Sequence, residues 1–112
     1  MVKRGEIYWV DWRPGRGAEQ TGVRPALIIQ NDVGNEHSES TIIASLTTAP
    51  IRPYPFVVPV TAKESGIPKD SFINLASIMT IDKERLRGRC GALPTVHMAR
   101  VDLALKKSLA LK

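Results

Sequence analysis

The fold class this sequence predicts is a mainly β or α+β, barrel-like domain, and three observations predict it. Short runs rich in β-branched and aromatic residues recur along the chain. Eight prolines and eight glycines fall largely between those runs. Only the last stretch, from Pro94 onward, spaces its apolar residues by threes and fours. Several short strands and one terminal helix give an all-β or α+β barrel.

Gly5 opens the first strand, Glu6 to Trp12. Tyr8, Val10 and Trp12 alternate with Ile7, Trp9 and Asp11, so both faces carry bulk. Arg13-Pro14-Gly15-Arg16-Gly17-Ala18 is a loop by composition and runs on through Gly22. A connection of that length between strands is more often functional than accidental. Its arginines, Arg13 and Arg16, either track a phosphate backbone or keep an exposed loop soluble. The second strand is Val23 to Gln30, with Pro25 near its start. Asn31 to Ser40 is polar, has room for one helical turn and carries His37, read as a solvent histidine without an acidic partner.

Thr41 to Thr48 is the third strand, closed by Pro50. Pro53, Pro55 and Pro59 crowd the fourth, Phe56 to Val60, and place it at a sheet edge. Ala62 to Lys69 is a turn-rich connection. Asp70 to Ile81 is the longest β-like stretch and is expected to bulge midway. A polar turn, Asp82 to Leu86, and a last strand, Arg89 to Leu93, follow. Thr95 is the expected cap of the final helix, whose buried stripe is Met98, Val101, Leu105 and Leu109. His97 lies off that stripe, on the side of Arg100 and Lys107, and is expected to be exposed.

At 112 residues the chain is expected to form one domain, residues 1–112, with a modest core. A single cysteine, Cys90, excludes an internal disulfide and paired-cysteine metal clusters. No signal-peptide core and no run of membrane-spanning length occurs, so a cytoplasmic protein that avoids membranes is expected. Sixteen basic against eleven acidic residues give a net charge of +5, compatible with a polyanionic partner. The excess is scattered, with one local concentration at Lys83, Arg85, Arg87 and Arg89.

The chain turns on Glu19-Gln20-Thr21-Gly22-Val23-Arg24-Pro25, which feeds the apolar run Ala26-Leu27-Ile28-Ile29. Arg24 stands where a polar loop meets a buried strand. Its guanidinium stays charged and matches phosphate geometry. The plainer alternative is a surface arginine paired with Glu19 or a neighbouring strand. The sequence has no phosphate-cradling glycine loop, no histidine pair on a helix face and no Gly-x-Ser-x-Gly elbow. Its eleven acids are not spaced as a recognisable ligand set. What remains is chemistry by positioning and charge.

The ordered set Lys3-Arg4-Gly5-Glu6-Ile7-Tyr8-Trp9, Glu19 to Pro25, Ile29-Gln30-Asn31-Asp32, Thr47 and Thr80-Ile81-Asp82 resembles the MazF/PemK family of toxin endoribonucleases. The likeness runs from about Val2 to Leu111. It implies a small SH3-like barrel of the CcdB/PemK/MazF type with a C-terminal α-helix, commonly a homodimer. It further implies sequence-specific, metal-independent cleavage of single-stranded RNA, without a cofactor. The ribose 2′-hydroxyl attacks phosphorus and leaves 2′,3′-cyclic phosphate and 5′-hydroxyl ends. Arg24 and Thr47 match the family's catalytic pair, although spacing alone reads Thr47 as a strand-end hydroxyl satisfying its turn. Glu19, Gln20, Thr21 and Ser77 match residues lining the RNA groove, and Arg16 is added as a loop cation. Many relatives read Gln-Ile-Arg-Thr-Ile-Asp where this chain reads Ser77-Ile78-Met79-Thr80-Ile81-Asp82. No relative's cut sequence transfers across that change. An antitoxin with an acidic, disordered segment is the implied partner. Two rival readings are a CcdB-like poison of DNA gyrase and an RNA-binding module without catalysis.

Overall fold

The computed structural model describes residues 1–12 and 22–112. They form β1 (Glu6–Asp11), β2 (Val23–Ile28), α1 (Asp32–His37), β3 (Ser40–Thr47), β4 (Val57–Val60), α2 (Ala62–Ser65), β5 (Ser71–Asp82), β6 (Leu86–Ala92) and α3 (Thr95–Leu109). One 3-10 turn, Lys83–Arg85, joins β5 to β6. The strands make one six-stranded sheet in the order β4-β5-β3-β2-β1-β6. Every pairing in it is antiparallel. The sheet with its C-terminal helix is the mainly β, α+β architecture expected.

The sheet buries apolar side chains on both faces, as the two bulky parities of β1 require. Ile7, Leu27, Ala44, Leu46, Val58, Val60, Ile73 and Leu75 join Val101 and Ala104 of α3 in the larger core. Val10, Trp12, Ala26, Ile28, Ile43 and Ile81 form the smaller one. Burying a side chain such as Leu27 or Ile43 contributes about 1.5–3 kcal/mol. The helical stripe holds at Met98, Val101 and Leu105, but Ala104 replaces Leu109, which is half exposed.

Proline density places β4 at the sheet edge, where the missing N–H costs nothing. The break in β5 is also there. Ala44 pairs with Ile78 while the next residue, Ser45, pairs with Asn74, so residues 75–77 have no rung on β3. Asn74 secures the bulge by accepting the Ala76 N–H at 3.0 Å.

Four local expectations need correction. Thr95 is not the cap of α3: Pro94 takes that position with extended backbone and offers no side-chain bond. Its fixed φ suits a helix entrance, which leaves Thr95 as the first helical residue. His97 is not exposed. Its Nε2 lies 3.0 Å from Glu64 Oε2 and its side chain is 21% accessible. Residues 62–65, read as a turn, form α2 through a capping box between Thr61 and Glu64. His37 is solvent-exposed as expected, yet it has an acidic neighbour, Glu36, at 3.8 Å.

Gly91 of β6 lies against α2, where a Cβ would sit 2.4 Å from the Ser65 carbonyl oxygen. Only glycine permits that approach.

Candidate active site

Arg24 and Thr47 are brought to one region by the register of β2 on β3. The pairs Ile28↔Ile43, Leu27↔Ala44 and Ala26↔Ser45 step evenly. Two residues further along both strands stand Arg24 and Thr47. The pairing stops before Pro25, which has no N–H to give a neighbour. Side chains opposite one another across a ladder share a face. Arg24 therefore lies on the face of Ala26 and Val10, its partner on β1. Thr47 lies on the same face through Ser45 and Ile43.

Arg24 is exposed, and among the described residues its guanidinium has no ion-pair or hydrogen-bond partner. Thr47 is half-buried, and its Oγ1 accepts the Ala49 N–H at 3.1 Å. That bond leaves the hydroxyl proton free to be donated elsewhere.

Ser77 reaches the same face through the β5 bulge. Ser45 Oγ donates to Ser77 Oγ at 2.8 Å and approaches the Ser77 carbonyl at 3.3 Å. Ser45 was not singled out in the sequence, though it shares the parity of Thr47 two positions on. Met79, opposite Ile43, is 48% exposed on this face. Arg24, Ser45, Thr47, Ser77 and Met79 thus share one face, with Arg24 and Thr47 at the sheet end and Met79 nearer the middle of β3. Arg13, Arg16, Glu19, Gln20 and Thr21 lie outside the described residues. At the edge of that segment, Trp12 N donates to Gly22 O at 2.9 Å. Trp12 Nε1 is buried without a hydrogen-bond partner among the described residues.

The Ile-Gln-Asn-Asp motif holds structure together. Asn31 caps α1 by accepting the Gly34 N–H at 2.8 Å. Asp32 accepts the Arg4 N–H at 2.7 Å, which with an Asn35 contact holds its carboxyl below the ordinary 3.8. Gln30 donates to Asn35 Oδ1 and to the Ser40 carbonyl. Asn35 itself is buried and returns a bond to the Gln30 carbonyl at 2.9 Å. Thr41 donates to Asn35 Oδ1 at 2.7 Å.

Arg4 donates to the Ile29 carbonyl and pairs with Asp102 at 2.7 Å, tying α3 to the sheet. A recess lined by Ser38, Glu39, Asp82, Lys83 and Glu84 lies at the far end of β3 from Thr47. Among the described residues no group of three or more His, Cys, Asp or Glu is placed to hold a metal. Burial pushes the Cys90 thiol above its ordinary range, which keeps it protonated and a poor nucleophile.

This chain matches the family described as PemK-like, MazF-like toxin of type II toxin-antitoxin system over residues 3–109. The chain belongs to that family. Among its relatives, Endoribonuclease EndoA of Bacillus subtilis is 46% identical over 112 residues, covering 99% of this chain and 97% of the relative. Endoribonuclease MazF of Staphylococcus epidermidis is 42% identical, covering 99% and 93%. A solved endoribonuclease in complex with its cognate antitoxin, from a mycobacterial species, superposes with a TM-score of 0.83. It is 26% identical, with 100% of this chain and 98% of that one covered. The Mycobacterium tuberculosis toxin MazF-mt6 shares the fold with a TM-score of 0.81 at 22% identity, covering 96% and 98%. In family terms the six-stranded sheet with its C-terminal helix is that of a MazF-like toxin.

Among the described residues no helix is long and apolar enough to cross a membrane.

Proposed function

We propose that this MazF-like chain is an endoribonuclease toxin whose cut site is the sheet end carrying Arg24 and Thr47. The observation that carries the reading is an exposed arginine, unpaired among the described residues, on the face of a threonine whose proton is free. The substrate is single-stranded RNA, whose splayed bases and 2′-hydroxyls an open sheet face can reach. The 2′-oxygen attacks phosphorus as the bond to the 5′-oxygen breaks. One proton leaves the 2′-oxygen and one arrives at the 5′-oxygen. The ends formed are a 2′,3′-cyclic phosphate and a 5′-hydroxyl.

Arg24 neutralises a non-bridging oxygen of the phosphorane, and Thr47 donates a hydrogen bond to the same developing charge. One such preorganised donor contributes about 3–4 kcal/mol, or two to three decades in rate. Arg16, Glu19, Gln20 and Thr21, outside the described residues, are assigned to RNA binding, and Ser77 meets the RNA from the β5 bulge. The chain acts as a single toxin domain and as a homodimer. Its antitoxin presents an acidic, partly disordered segment that competes with RNA for the cationic groove.

The test is digestion of mixed single-stranded RNA in excess chelator, with the new ends mapped. Cyclic phosphate and 5′-hydroxyl ends are expected, and Arg24→Ala is expected to form them about two to three decades more slowly. Cleavage by Arg24→Ala at the wild-type rate would remove the assigned site. Intact RNA together with inhibited DNA supercoiling would replace the reading by the gyrase poison, and RNA binding without cleavage by the passive module.

A further inference from the structure

The basic concentration in the chain is not absorbed by the cut site. Residues 83–89, Lys-Glu-Arg-Leu-Arg-Gly-Arg, hold four cations and one acid, 4 − 1 = +3 of the chain's +5. The structure puts them at an outer edge of the sheet, on β6 and the turn before it.

Their side chains are anchored without being sealed. Arg85 donates to the Asp11 carbonyl at 3.1 Å. Arg87 pairs with the Asp11 carboxylate at 3.2 Å and donates to the Glu84 carbonyl. Arg89 lies 3.5 Å from Glu6 Oε2 and 3.4 Å from the Gly91 carbonyl. The side chains of Arg87 and Arg89 nevertheless stay 49% and 55% accessible. A guanidinium carries five N–H donors, so a tethered one still presents several outward. Tethering also lowers the entropy lost when a phosphate binds.

Backbone pairing brings the start of β6 near the cut site. Val10 of β1 pairs with Arg24 on one side and Leu86 on the other. Two strand spacings, about 10 Å, separate Arg24 from the start of β6. The edge is also unsuited to adding a peptide strand. Its register on β1 slips between Ile7 and Tyr8 and again between Tyr8 and Val10, and Gly88 is left-handed at φ 121°. Bulges of this kind disrupt the row of backbone donors and acceptors that a peptide needs. Charge on side chains is what remains to be read.

We propose that the arginines of β6 form an exosite for the phosphate backbone of single-stranded RNA flanking the cut. It adds affinity without sequence information. The inference rests on the endoribonuclease reading.

The experiment compares the full chain with an Arg87→Gln/Arg89→Gln variant. The substrates are a short oligonucleotide spanning only the mapped cut and a long RNA containing the same cut. On the long RNA the variant is expected to raise KM and leave kcat unchanged. The slope of log(1/KM) against log salt should shrink by about 1.4, from roughly 0.7 per lost phosphate contact on a single strand. The short substrate should be cut as by wild type. An Arg87→Lys/Arg89→Lys variant, which keeps the charge, should restore most of the salt slope, and melting curves check folding. Equal losses on both substrates, no loss on either, or a loss confined to binding an acidic peptide would overturn the exosite. A wild type that cuts neither substrate overturns the endoribonuclease reading instead.

Discussion

The two ends of the β2–β3 seam use polar residues in opposite ways. At one end Gln30, Asn35 and Thr41 are bonded to one another and to backbone, with Asn35 and Thr41 fully enclosed. At the other end Arg24 and Ser77 are exposed and Thr47 half-buried. The first end is organised for rigidity, because a buried polar group left unpaired is costly. At the second, exposed polar groups add little to stability, and their value lies in what they meet from outside. The difference teaches how to divide a family-like motif into scaffold and reacting parts: ask where each donor is already committed.

That contrast can be broken most directly at Arg24. Arg24→Ala should lower RNA cleavage by about two to three decades and leave the melting temperature unchanged. A large loss of thermal stability instead would place Arg24 among the scaffold residues. The mirror experiment is Asn35→Ala. It removes the acceptor of the Thr41 hydroxyl and one of the two acceptors of the Gln30 amide, and should cost about 2–3 kcal/mol in denaturant unfolding with little change in cleavage per folded molecule.

Gly91→Ala sharpens the comparison from a third place, remote from both ends. A methyl 2.4 Å from the Ser65 carbonyl must push α2 off β6. A loss of about 1–3 kcal/mol is expected, again without loss of cleavage by folded protein. The smallest effect is acid dependence at the scaffold end. The Arg4 amide and then Asn35 hold the Asp32 carboxyl below its ordinary 3.8. A carboxyl depressed by folding stabilises above its unfolded value, and that contribution is lost as pH falls through the folded one. Asp32→Asn should therefore lose less stability than wild type on passing below pH 3.8. Parallel melting curves down the pH series would refute it.

Much of the sheet was legible because β-branched runs and proline placement are local signals. The edge position of β4 followed from Pro53, Pro55 and Pro59, and the β5 break from its length. Local signals also misled. Thr95 is a good cap by residue type, but Pro94 already held the chain extended at that position. The Thr61-x-x-Glu64 capping signature was in the sequence, and the Gly66 and Pro68 beyond it drew the reading toward a turn. Pairings between distant segments were not legible. Nothing local reveals that Glu64 meets His97, or that Asp11 and Glu6 anchor Arg87 and Arg89. At the candidate site, Arg24 stood out by its junction, whereas Ser45 mattered only once the bulge brought Ser77 to it. The loop residues Glu19, Gln20 and Thr21 rest on resemblance alone, and Arg16 on the composition of its loop.

Pro25 faces Trp9 on β1 but carries no rung to β3. An ordinary residue in its place would bring an amide able to continue the zipper toward Thr48. The imino ring thus acts as a stop on the fastener, keeping two strands of one sheet parted at their tips. Closing that fork by a single substitution would be a way to silence the protein while leaving every charged group in place.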